Sequence, residues 1–152
     1  MANPLYGQNK ADGNIGWLNN TSVKAHGTLA GNLTLTAHDM VSSLVHSCDP
    51  AAARNITTPT AALIVAAMKV KASYSKCVTG DTFQWCFVNA GTAGEDESCT
   101  MVAGTGVTLV GGVVIENYAA THDAFSSGSG LFAVHVTNAE SGSEAVSLIR
   151  LA

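Results

Sequence analysis

The feature that most constrains this chain is a strict alternation within residues 79–88. It sets Phe83, Trp85 and Phe87 on one face of an extended segment and Thr82, Gln84, Cys86 and Val88 on the other. Such a segment is a strand with one buried face. Weaker copies of the pattern recur at residues 28–29 and 33–36, at 43–48 up to the turn dipeptide Asp49-Pro50, at 97–102 after the connection 89–94, at 107–110 and at 113–115. Residues 131–137 and 144–151 read as a terminal hairpin. Turn signals recur every eight to twelve residues or closer, the spacing of a sandwich or barrel. The expected fold is therefore mainly β, an antiparallel β-sandwich of jelly-roll type. It carries one short helix, with Thr58 as N-cap, Pro59 at the first helical position and an apolar run over 61–68; residues 37–41 form at most a single turn.

Residues 1–27 show neither period and are dominated by Asn, Gly and small polar side chains, so they are read as an extended N-terminal arm to a sandwich domain spanning 28–152. Leu5, Tyr6, Ile15, Trp17 and Leu18 are the arm's apolar anchors, positioned to grip a neighbouring subunit or to fold back on their own domain.

Composition narrows the function. Only 12% of the 152 residues are charged while 47% are apolar, so Ser, Thr, Asn, Gly and Ala must cover much of the surface, a covering that tolerates dense packing against neighbours. Lys and Arg number 7 against a net charge of −4, which leaves no clustered positive field for a nucleic-acid backbone. No apolar run approaches the ~20 residues of a membrane span, and the first residues lack the basic-then-apolar pattern of a secretory signal, so synthesis in a cytoplasm is expected. Asn20, Asn32 and Asn55 begin glycosylation triplets that carry no meaning without secretion. Cys48, Cys77, Cys86 and Cys99 have no zinc-binding spacing and are read as buried free thiols; Cys86 with Cys99 is the pair that would bridge if any does.

Each candidate for chemistry lacks a part. Residues 104–109 look like a phosphate loop without its Lys-Ser/Thr or its helix, and are read as a turn. His122 and Asp123 with Ser126 or Ser127 lack the strained elbow of a nucleophile. The run Glu95, Asp96, Glu97 lacks the spaced oxygen ligands of a calcium site, and His135 reads as a satisfied sheet histidine. No catalytic residue, metal or cofactor is expected. A hydrolase would need His122 or His46 to converge with a carboxylate in a pocket.

Residues 57–67, 80–83, 89–95, 103–111 and 136–146 resemble, in order and spacing, a recurrent domain of tailed-phage virion proteins, and residues 1–10 are similar to the opening of small structural proteins of marine phages, those of cyanobacteria among them. The resemblance implies a non-enzymatic capsid decoration, or cement, protein on the outer surface of the virion. Such a protein trimerises and stabilises contacts between major capsid proteins, without binding nucleic acid or membrane. On that reading Leu5, Tyr6, Ile15, Trp17 and Leu18 bind the capsid, and the helix residues Leu63, Ile64 and Met68 cover the sheet or face the trimer axis. A head-fibre or tail-spike module that recognises a host glycan or protein is the alternative.

Overall fold

The computed structural model describes residues 8–9, 14–15, 22–71, 76–91, 97–117 and 128–152. In chain order these form β1 (Gln8–Asn9), β2 (Asn14–Ile15), β3 (Val23–Leu29), β4 (Leu33–Thr34), α1 (Ala37–Ser42), β5 (Val45–Pro50), β6 (Arg54–Thr57) and α2 (Ala61–Lys71). They continue with β7 (Thr82–Asn89), β8 (Cys99–Val102), β9 (Val107–Val110), β10 (Val114–Ile115), β11 (Ser129–Asn138) and β12 (Ala145–Arg150).

The protein is mainly β, but its sheets are mixed. A six-stranded sheet has the order β3-β5-β7-β11-β12-β9 and a four-stranded sheet the order β10-β8-β6-β4. From β3 to β10 the chain alternates between them, visiting one sheet and then the other. Successive strands of the same sheet consequently come back parallel: β3 with β5 and β5 with β7 in the larger sheet, β4 with β6 and β6 with β8 in the smaller. A parallel neighbour requires a crossover, and here the crossover is the intervening strand of the other sheet, together with α1 or α2. Only β7–β11, β11–β12 and β8–β10 are antiparallel among the larger pairings, and β12–β9 is parallel again. The expected wholly antiparallel pairing is corrected accordingly. The strand expected at residues 97–102 is β8, which follows β7 in the chain but joins β6 in the smaller sheet.

Both sheets and both helices feed one core. Phe83, Trp85 and Phe87 are all buried on the same face of β7, as their alternation demands, and Trp85 packs against Phe87 and Phe132 at ring-centroid distances of 5.8 and 5.4 Å. Val134 and Val136 of β11 and Val146 and Leu148 of β12 extend that face. Ile56, Cys99, Met101 and Ile115 meet it from the smaller sheet, Met40 and Val41 from α1, and Ile64, Val65 and Met68 from α2. The terminal hairpin is present as β11 and β12.

Local corrections each have a physical cause. β3 begins at Val23, so residues 23–27 belong to the sheet and not to the arm; Val23, Lys24 and Ala25 pair with Val45, His46 and Ser47. β5 runs through Asp49 and Pro50 because Thr28 and Leu29 continue to pair beside them. The turn at residues 37–41 is a full α1, capped by Thr36, whose hydroxyl accepts from the Asp39 N–H at 3.1 Å. Helix α2 starts later than expected. Thr60 takes the cap, its Oγ1 accepting from the Leu63 N–H at 3.3 Å. Thr58 is buried and still part of the strand ladder, its N–H donating to the Val102 carbonyl and its Oγ1 accepting from Gly104 N–H at 2.9 Å. Residues 104–106 form a turn, with Gly106 at a φ of +78°, where an added Cβ would lie 2.8 Å from the Glu144 carbonyl oxygen.

Candidate interaction surface and the buried polar cluster

Helix α2 has no polar face. Ala61, Ile64, Val65 and Met68 are at most 1% exposed, while Leu63 is 57% and Val70 88% exposed, with Ala62 and Ala66 exposed beside them. A helix that is apolar on every side is normally enclosed on every side. This one is enclosed on one. The three helix residues singled out from sequence are therefore divided: Ile64 and Met68 cover the sheets from within the core, and Leu63 points outward. Val70 completes the outward stripe Leu63, Ala66, Val70 at the i, i+3, i+7 spacing, which was readable in the sequence once the helix is extended to Lys71. The last turn carries Lys69 and Lys71, placed where cations favour a helix C-terminus.

Of the arm anchors, Leu5, Tyr6, Trp17 and Leu18 lie outside the described residues. Ile15 is in β2, its backbone paired with Gln8, and β2 lies beside β7. Strand β3 forms one edge of the larger sheet, with Val23 63% exposed.

A polar cluster sits where β3, β5 and α1 meet. His46 is fully buried in β5; its Nδ1 lies 3.0 Å from His26 Nε2 of β3 and its Nε2 lies 3.1 Å from the Asp39 carbonyl oxygen of α1. Since a carbonyl can only accept, His46 donates from Nε2 and receives the His26 proton at Nδ1. The two rings stack at 5.2 Å, and His46 meets Trp85 edge-on at 5.5 Å. Burial pushes the His46 imidazole down to about 4, against the raising effect of the Asp39 carbonyl. His26 is also lowered, first by burial and then by Lys24, which forms an ion pair with Asp39 at 3.5 Å. Burial works against the Asp39 carboxylate, but Thr36 and Lys24 outweigh it and hold its carboxyl below the ordinary value.

His46 is thus held by a backbone carbonyl and a second imidazole, an arrangement that ties two strands and a helix together. His135 is hydrogen-bonded within the sheet, its Nδ1 3.0 Å from Thr82 Oγ1. His122, Asp123, Ser126, Ser127, Glu95 and Asp96 lie outside the described residues. Among the described residues no three His, Cys, Asp or Glu side chains gather as metal ligands, and no helix is long and apolar enough to cross a membrane. The nearest cysteine pair is Cys48 with Cys99, their sulfurs 3.5 Å apart across the two sheets, so the sequence-based pairing of Cys86 with Cys99 is corrected. Comparison of the chain with protein-family models, with curated proteins and with solved structures gives no match.

Proposed function

We propose that this protein is a structural component of a virus particle, a cement protein that associates with its own copies through α2 and stabilises contacts between major capsid proteins on the outside of a tailed-phage head. The two mixed sheets facing one core are read as a sandwich that serves as a rigid block. The observation that carries the reading is the outward stripe of α2. Apolar surface gains about 25 cal/mol for each Å² removed from water, so Leu63 and Val70 favour association, and the charges on that helix are confined to Lys69 and Lys71 of its last turn. A surface poor in charge supports the same reading, since few ions need be stripped of water when copies pack closely. With many copies on a shell, modest single contacts add to a large resistance to internal pressure.

The test has two arms. Sedimentation of the purified protein should show a trimer that Leu63→Glu with Val70→Glu converts to a folded monomer. Incubation with empty heads should then show attachment in hundreds of copies for the unaltered protein and a marked loss for the variant. A chain found in a handful of copies at the tail would replace this reading with a fibre or spike module.

A further inference from the structure

We propose that Cys48 and Cys99 are a disulfide-forming pair that staples the two sheets together when the protein meets a small-molecule disulfide oxidant. Cys48 lies within β5 of the six-stranded sheet and Cys99 opens β8 of the four-stranded sheet. Both side chains are buried, 2% and 0% exposed, and their sulfurs are in contact at 3.5 Å. A disulfide is about 2.05 Å long, so the two sulfurs, already facing each other, need approach by roughly 1.5 Å. The other two cysteines face elsewhere. The Cys77 thiol points at Met68 Sδ, 3.9 Å away, and Cys86 is half-buried on the outer face of β7, opposite to Trp85 and Phe87.

The chemistry of the pair is asymmetric. Each strand holds its cysteine rigidly through ladder pairing, Cys48 beside Asn89 and Cys99 beside Arg54 and Ile115. The hydrogen bond between the two sulfurs favours ionisation at Cys99, against the effect of burial, and disfavours it at Cys48. Cys99 thiolate therefore attacks one sulfur of the oxidant RSSR, forming a mixed disulfide and expelling RS⁻, which takes up a proton. Cys48 then gives up its proton and attacks the Cys99 sulfur, expelling the second RS⁻, protonated in turn. The net change is two protein thiols plus RSSR giving one protein disulfide plus two RSH; the protein loses two electrons and the oxidant gains them. Because both sulfurs are buried, the exchange waits on local opening of the smaller sheet, so its rate rises under mild denaturant. The bond would close a loop between residues 51 positions apart, a long constraint on the unfolded chain.

The experiment starts from the full chain purified under reductant, exposed to oxidised glutathione with and without low urea, quenched with N-ethylmaleimide and digested without reduction. The expected product is a Cys48–Cys99 cross-linked peptide with Cys77 and Cys86 alkylated, and a melting temperature higher by roughly 10 °C that reverts on reduction. Cys99→Ser should abolish the rise and Cys86→Ser should keep it. If either variant does not fold, the peptide map of the unaltered protein decides alone. Four alkylated cysteines after oxidation in urea, a Cys86–Cys99 peptide, or glutathione adducts without the internal bridge would each overturn the proposal. The outcome is independent of whether the protein binds a capsid.

Discussion

The side-chain amide of Asn89, at the end of β7, donates to the main-chain carbonyl of Ile115 in β10 at 3.1 Å, so that one residue of the larger sheet is bonded to the smaller one. The same nitrogen lies 2.5 Å from the Glu97 carbonyl oxygen, and Asn89 Oδ1 accepts from the Gly91 N–H at 3.0 Å. The residue is fully buried, so each of these groups would be stranded without it.

Asn89→Asp keeps the shape and the Gly91 bond but removes both donors and sets a charge against two carbonyls. The expected loss is about 3 kcal/mol or more of unfolding free energy, read by urea denaturation at neutral pH. A loss below about 1 kcal/mol would mean that water takes over the carbonyls and that this amide does not join the sheets.

Stability should fall on mild acidification. The ordinary histidine value is 6.5 and that of His46 in the fold is about 4, so between those limits the unfolded chain binds a proton that the folded chain refuses. The stabilisation is complete above about 6.5 and is lost as the pH drops towards 4, by up to about 3 kcal/mol for His46. His26, lowered too, acts in the same direction. Unfolding free energies measured across this range should give a slope that His46→Gln flattens; an equal slope in both proteins would assign the effect to other groups.

Gly104 is required by the backbone it touches. A Cβ there would lie 2.5 Å from the Pro59 carbonyl oxygen and 2.6 Å from that of Thr58, just ahead of α2. Gly104→Ala should cost about 2 kcal/mol or more. Gly31→Ala, which meets nothing within 4 Å, should be near neutral. Thermal melts of the two variants side by side make the comparison.

Trp85 is fully buried and, among the described residues, its indole N–H meets no acceptor. Trp85→Phe therefore gives up ring volume while relieving an unmet donor and should cost at most about 1.5 kcal/mol. Trp85→Ala removes the contacts with His46, Phe87 and Phe132 as well and should cost about 3–5 kcal/mol. Equal losses in the two variants would show that the N–H is bonded after all.

Much of the strand inventory was legible because alternation is a local property. Phe83, Trp85 and Phe87 face the core wherever β7 is placed, and β11 and β12 pair because a short turn brings the second strand back beside the first. The local pattern around Thr58 suits a helix cap, yet a distant partner, Gly104, holds the residue beside the strands. Leu63, Ile64 and Met68 are alike in hydrophobicity, and only the packing of α2 separates the two that are enclosed from the one that is not.

Local alternation and turn chemistry make this chain mainly β, set where most strands and turns fall and which face of β7 is apolar, and start an apolar helix after Pro59. Tertiary structure decided which sheet each strand joins. A turn signal reports that the chain reverses, but not whether it comes back beside its predecessor or crosses the core to the opposite sheet, since both demand the same residues. That choice is made by distant contacts such as Cys48 with Cys99 and Asn89 with Ile115. It turned an expected antiparallel fold into two mixed sheets wound together.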